Sequence, residues 1–161
     1  MENIYDYLIS YKSFLHSNYN QEFWIDPNHN QHGNLLINRI SDDKKTIFKP
    51  IDSSISVGTK RLQDFINKTP TFKENIIENY IFIAREFKEN TRALAESNNQ
   101  ITLISVDFNS EKTILIGSEN SDTNITKSIN EFSRLSFNNS DQKSTNRTGK
   151  KTKKSVKKKS K

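Results

Sequence analysis

The chain contains no cysteine and is poor in proline and glycine, with three and four residues respectively. The lack of cysteine excludes disulfide bonds, thiolate zinc sites and cysteine nucleophiles. No stretch approaches the roughly 20 consecutive apolar residues that a membrane-spanning helix needs. The hydrophobic fraction is only 32% over 161 residues, so we expect one modest domain rather than a core that uses the whole length.

Positive charge is concentrated at one end of the chain. Of the net charge of +6, residues 140–161 carry +9, from ten Lys or Arg and one acid, which leaves residues 1–139 at −3. This Lys/Ser/Thr-rich tail has no aromatic residue and is predicted to be disordered alone, binding phosphates without sequence preference. The tail lysines that we expect to contact RNA are Lys150, Lys151, Lys153, Lys154, Lys157, Lys158, Lys159 and Lys161.

The spacing of apolar residues predicts an α/β architecture. Residues 1–50 are expected to form an N-terminal helix (3–16), a polar loop (17–33) and a short hairpin with strands at 34–40 and 46–48. Beyond them, strands are predicted at 54–57, 80–84, 101–106 and 113–116, and helices at 60–67, 86–97 and 122–137. Continuous apolar runs such as Tyr80–Ala84 are typical of parallel strands covered on both faces. Residues 51–139 should therefore form an open parallel sheet with flanking helices, a Rossmann- or flavodoxin-like three-layer arrangement.

One turn carries the residues of a possible phosphate site. Val57-Gly58-Thr59-Lys60-Arg61 leads from a predicted strand into a helix, whose N-terminus could receive a phosphate with help from Lys60 and Arg61. The two-glycine spacing of a nucleotide-binding loop is missing. Taken alone, the turn is better interpreted as a strand-to-helix connection with two solvated cations.

The sequence offers no complete set of catalytic residues. Asp26, His29 and His32 could bind a metal, but a fourth ligand is not evident and solvated side chains are the commoner interpretation. All three histidines lie within the first 32 residues, which disfavours a Ser/His/Asp arrangement. We therefore expect no enzyme activity, no cofactor, no metal and no small-molecule substrate.

Sheets of this shape also carry metal-dependent nucleases. Such enzymes need an acid on one strand followed by Glu-Xaa-Lys, so that two acids hold the metal beside a lysine. Here Asp42, Asp43 and Asp52 are not followed by Glu-Xaa-Lys. Asp107 and Asn109 end a predicted strand, where we expect them to fix the turn rather than perform chemistry.

The strongest pattern lies in residues 101–129. It reads Ile-Thr-Leu-Ile-Ser-Val-Asp-Phe-Asn (101–109), Ile-Leu-Ile-Gly-Ser-Glu-Asn-Ser-Asp (114–122) and Lys-Ser-Ile (127–129). This order resembles the C-terminal signature of the universal small-ribosomal-subunit protein two family: I-P-x-I-x-L-V-D-T-N-x-x-P, then I-P-G-N-D-D-S, then S-I. The Val-Gly-Thr-Lys turn and the segments 80–84 and 91–97 resemble further parts of that family. Its prolines, its R-W-x-G-G-x-L-T-N segment with a helical hairpin, and its G-x-H-x-G-H motif are not matched, so the resemblance covers residues 55–137.

The resemblance implies a shortened, divergent structural component of the small ribosomal subunit that binds ribosomal RNA and neighbouring ribosomal proteins, without catalysis. The abundance of Asn, Lys and Ile indicates an AT-rich genome, and the N-terminus does not resemble a transit peptide. We therefore expect an organelle-encoded protein of a mitochondrion, with a plastid or the cytoplasm as alternatives and no membrane partner. Lys60, Arg61 and the tail lysines are the predicted RNA contacts, on the basis of charge.

Two alternatives stay open. The N-terminal jaw of the fifth subunit of eukaryotic-type RNA polymerases has a similar Val-Gly-Xaa-Lys turn and alternation of strands and helices, although it lacks the Asn-Ser-Asp corner followed by Ser-Ile. The second alternative is an inactive nuclease-like nucleic-acid-binding domain from a virus or mobile element.

Overall fold

Six strands form one sheet whose spatial order follows the sequence, β1 to β6. The computed structural model describes residues 3–19, 21–26, 33–41, 44–68, 77–117 and 123–137. In chain order the elements are α1 (Ile4–Tyr19), β1 (Phe23–Asp26), β2 (Leu35–Arg39), β3 (Lys44–Ile51), α2 (Thr59–Asn67), β4 (Ile77–Ala84), α3 (Glu89–Ser97), β5 (Ile101–Asp107), β6 (Lys112–Gly117) and α4 (Thr123–Phe137).

The sheet is parallel at its centre and antiparallel outside it. Strands β3, β4 and β5 run parallel, whereas β1, β2 and β3 form an antiparallel meander and β6 runs antiparallel to β5. The connections explain the directions, because α2 and α3 are the crossovers that parallel neighbours require. The four residues between β5 and β6 can only reverse the chain.

Alternation along the strands divides the core between two faces. In β4, Ile81 and Ile83 belong to the cluster that contains residues of α1 and α4, whereas Phe82 and Ala84 belong to the cluster that contains residues of α2 and α3. Both faces of the strand are therefore buried, which accounts for its continuous apolar run. The result is a three-layer sandwich with helices on both sides of the sheet.

The N-terminal helix is part of this sandwich. Tyr7 and Tyr11 of α1 are almost fully buried, and their hydroxyl oxygens lie 2.6 Å and 2.7 Å from Oγ of Ser133 and Ser128 in α4. Ser128 donates its own hydroxyl proton to the carbonyl of Ile125, so Tyr11 is the donor to Ser128. Two buried hydrogen bonds thus connect the first helix to the last.

The predicted class, a three-layer α/β fold with flanking helices and an N-terminal helix, is confirmed. The strand predicted at 54–57 was wrong, because only Val57 pairs there, in an isolated parallel bridge to Phe87. Strand β3 occupies the place in the sheet that was expected for the 54–57 strand. The predicted boundary between residues 1–50 and residues 51–139 falls inside β3. Pro50 is tolerated because β2 ends opposite Phe48, so beyond that point one side of β3 lacks a ladder partner.

Candidate nucleic-acid interface

Two helix-starting turns meet where the parallel strands end. The Val57 N–H donates to the Glu86 carbonyl, and the Lys88 N–H donates to the Val57 carbonyl, both at 2.9 Å. Thr91 Oγ1 donates to the same carbonyl at 3.2 Å. The Val-Gly-Thr-Lys turn is therefore the junction between the two crossovers, with α2 beginning after Gly58 and α3 after Lys88.

The glycine of this turn is not demanded by backbone conformation. Gly58 has φ of −99°, in the extended region open to any residue, and an added Cβ would meet the Lys88 side chain at an ordinary 3.5 Å. Nothing in its geometry requires the close backbone approach of a phosphate-cradling loop. The interpretation as a strand-to-helix connection fits this geometry.

An acid and a base meet just after β3 and β4. Arg85 approaches Asp52 Oδ1 through Nε at 3.1 Å and Nη2 at 3.0 Å. The guanidinium carbon lies 5.1 Å from the centre of the Phe108 ring, and Ser105 Oγ donates to the Arg85 carbonyl at 2.8 Å. Arg85 compensates the charge of Asp52 and is itself held in place. The Asp52 carboxylate therefore serves to join strand ends.

Asp107 fixes the turn that follows β5. Its Oδ1 accepts the backbone N–H of Asn109 at 3.0 Å and of Ser110 at 3.2 Å. The hydrogen bond from the Ser110 side chain, then those from the backbone N–H groups of Ser110 and Asn109, lower the pKa of the Asp107 carboxyl. Glu111 closes the turn with φ of +57°, a conformation that proline cannot adopt. The turn therefore departs from the ribosomal pattern, which has a proline near this position.

The two cations predicted at the start of α2 have different surroundings. Lys60 is highly exposed, and its Nζ lies 3.0 Å from Asp64 Oδ2, one turn along the helix. The charge of Arg61 instead acts on Lys49 of β3, whose pKa is lowered first by burial and then by Arg61, and the Lys49 Nζ lies 5.2 Å from the centre of the Phe65 ring. Within the described ranges, neither Lys49 nor Arg61 forms an ion pair with a carboxylate.

The remaining predicted residues are separated or fall outside the described ranges. The tail lysines, His29, His32, Asp42 and Asp43 lie outside them. Asp26 ends β1, and His16 lies in the last turn of α1. Among the described residues, no group of three His, Asp or Glu side chains could hold a metal ion. None of the described helices is both long and apolar enough to cross a bilayer.

Lys49 is the residue that sequence reasoning missed. It alternates with Ile47 and Ile51, both buried on the α2 side of the sheet. A lysine between two inward-facing isoleucines was the available signal, because a cation on a buried face needs a partner. Its neighbours Arg61 and Phe65 could not be found from the sequence, since they approach it only through the packing of α2 on β3.

The fold thus defines a three-layer α/β protein with a mixed sheet and a small cationic cluster. No protein-family model, curated protein or solved structure matches the chain.

Proposed function

We propose that this protein is a non-catalytic subunit of a DNA-dependent RNA polymerase. Its folded body docks on other protein subunits, and its basic tail contacts the phosphates of nucleic acid. The observation that carries the proposal is the separation of charge between residues 1–139, at −3, and residues 140–161, at +9. The net negative charge of the body suits docking on a protein surface, whereas the tail is attracted to any phosphate backbone.

The described acids support a non-catalytic role. Asp52 is paired with Arg85, and Asp107 accepts two backbone N–H groups. Both carboxylates therefore have structural partners at the edge of the sheet where α/β enzymes carry their working residues. An enzyme would need acids that face a substrate or a metal there.

The choice of a polymerase over a ribosome rests on how the resemblances divide the sheet. The ribosomal resemblance begins near residue 55, whereas β1, β2 and β3 precede it, so half of the strands lie outside the matched pattern. Its signature residues also have local roles in this fold, since Asp107 holds a turn and Ser128 and Ile129 are buried. The alternation of strands and helices is similar to the polymerase jaw, and so is the Val-Gly-Xaa-Lys turn, which the ribosomal family shares.

Affinity purification tests the proposal. The full chain, tagged at its N-terminus, is expressed in cells of the organism that encodes it, and the lysate is treated with nuclease before capture. We expect the large polymerase subunits to co-purify in equimolar amounts, because docking through the body does not need the nucleic acid. Capture without any polymerase subunit would contradict the proposal.

A mitochondrial small-subunit ribosomal protein is the second candidate. The spacing from Val106-Asp107 through Ser128-Ile129, which follows the ribosomal signature, is the observation that favours it. Gradient sedimentation of the same lysate, without nuclease, separates the candidates. Co-sedimentation with small ribosomal subunits, lost at high salt, would replace the polymerase assignment, and recovery only in free fractions would reject both.

A further inference from the structure

We infer that Lys49 and Arg61 form a phosphate-binding site on the folded body. The phosphate belongs to a nucleic-acid strand, so the body carries a contact of its own besides the tail. This inference rests on the proposed function, because it names where the body of such a subunit meets the strand.

The packing of α2 on β3 positions Lys49, whereas Arg61 is exposed on the side of α2 that carries Phe65. Arg61 and Phe65 are four residues apart on α2 and therefore share one side of the helix. Lys49 projects from the same sheet face as Ile47 and Ile51, which directs its ammonium group over the Phe65 ring at 5.2 Å. The lysine is thus positioned between strand and helix rather than free in solvent.

The charge of Lys49 has no carboxylate partner among the described residues. Burial, and then the charge of Arg61, lower the pKa of Lys49. The face of Phe65 offsets only part of this cost, since a cation–π contact is worth about 0.5–2 kcal/mol. Two other described cations do have carboxylate partners, since Lys60 pairs with Asp64 and Arg85 pairs with Asp52. An anion that bridges Lys49 and Arg61 would compensate both charges.

A phosphate group fits this pair by its chemistry. The guanidinium of Arg61 can donate two parallel hydrogen bonds to phosphate oxygens, and the ammonium of Lys49 adds a compact charge. Phosphodiesters of a strand and phosphates of free nucleotides share this chemistry. A neighbouring aromatic residue distinguishes them.

Trp24 provides a stacking surface on the same side of the sheet. It lies directly across from Asn38 in β2, and Asn38 lies across from Lys45 in β3. Cross-strand neighbours face the same side, and Lys45 and Lys49 share that side because they are four residues apart in one strand. The Trp24 side chain is 50% exposed. From strand geometry, Trp24 and Lys49 are ~16 Å apart, a distance that a strand of a few nucleotides spans and a single phosphate does not.

Residue-resolved lysine acetylation of the full chain tests the site. The reactivity of each lysine is measured by mass spectrometry, alone and with a short single-stranded oligoribonucleotide, ATP or inorganic phosphate. We expect the oligonucleotide to protect Lys49 several-fold, with little change at Lys60, which is its matched control because it is exposed and already paired. The Arg61→Gln variant should lose the protection of Lys49 and keep that of the tail lysines.

The outcomes separate this site from the proposed function. Unchanged reactivity of Lys49 while the tail lysines are protected overturns the site and leaves the proposed function standing. Equal protection of Lys49 by ATP or inorganic phosphate overturns the assignment to a nucleic-acid strand. Loss of Lys49 protection in a Lys60→Gln variant as well would overturn the specific role of Arg61.

Discussion

At the residue scale, Lys49 is placed at a cost to stability. Burial and then Arg61 lower its pKa, so the protonated side chain is disfavoured in the folded state. This penalty is complete below the folded pKa and is relieved as the pH rises toward the ordinary value of 10.5. A residue retained against such a penalty is a candidate for function rather than for stability.

We therefore expect Lys49→Met to leave the fold intact and to raise its stability slightly, by up to about 1 kcal/mol at neutral pH. The gain should shrink when the pH is raised to 10.5, the ordinary pKa, because the lowered pKa of folded Lys49 lets the wild type lose that charge as the pH approaches this value. Urea unfolding of both proteins at the two pH values measures it. A loss of more than about 1 kcal/mol would mean instead that the contact with Phe65 is mainly structural.

The hydrogen bond from Tyr11 to Ser128 is a stabilising contact of ordinary size. Tyr11→Phe removes the donor and leaves the Ser128 oxygen buried without it, so we expect a loss of about 1 kcal/mol in the free energy of unfolding. Tyr5→Phe is the matched control on the same helix, because Tyr5 is 47% exposed, and it should change little. Combining Tyr11→Phe with Ser128→Ala should cost less than the two single changes together. Strict additivity would show that the two hydroxyl groups do not interact.

The Asp107 turn should give a measurable dependence on acid. The pKa of its carboxyl is lowered by the hydrogen bonds to Ser110 and Asn109, so the charged form stabilises the folded state. This contribution is present above the ordinary pKa of 3.8 and is lost as the pH falls through the lower folded value. Asp107→Asn should therefore unfold at lower urea concentrations than the wild type at neutral pH. The difference should close below pH 3.8; a constant difference throughout would exclude the carboxylate as its source.

At the element scale, the sequence indicated those elements whose pattern is local. The apolar spacing of α1 and the continuous runs of β4 and β5 were sufficient to locate them. The strand expected at 54–57 failed because a short apolar alternation does not show whether a sheet neighbour is available. The direction of β6 could have been foreseen, because the few residues after β5 are too short for a crossover.

The residues of the candidate site also differ in how far the sequence could locate them. Lys60 and Arg61 were predicted as RNA contacts from their charge at the start of a helix, and both stay predictions. The pairing of Lys60 with Asp64 one turn along the helix appears only in the structure. Lys49 could be recognised as a candidate only from the packing of α2 on β3, which places Phe65 of the helix against it. Sequence patterns locate a side chain on an element, whereas a site depends on which elements pack together.

Helix α1 should behave as part of the core. Leu15 is fully buried in the cluster between the sheet and α4, whereas Ile9 of the same helix is 63% exposed. We expect Leu15→Ala to cost about 2–5 kcal/mol through lost burial and the cavity left behind. Ile9→Ala should change the free energy of unfolding by less than about 0.5 kcal/mol. Similar effects of the two substitutions in urea unfolding would mean that α1 is not firmly packed on the sheet.

At the scale of the whole molecule, two nucleic-acid contacts of different kinds are expected. The tail supplies many weak, sequence-independent charges, and the Lys49–Arg61 pair supplies one positioned site. The tail should account for most of the salt dependence, because it neutralises more phosphates than the pair does. Each neutralised phosphate of a single strand contributes about −0.7 to the slope of log K against log salt. The pair should instead determine how the strand lies on the body.

Deletion of residues 148–161 separates the two contributions. It removes eight lysines and leaves every described residue in place. We expect weaker binding of a single-stranded oligoribonucleotide, and a slope of log K against log salt that is shallower by at most about 6, since not all eight lysines need contact phosphate. Fluorescence anisotropy across a salt series measures both quantities. In the truncated chain, Lys49→Met should abolish much of the residual binding and hardly change the salt slope. If truncation alone left the slope unchanged, the tail would not be the main contact with nucleic acid.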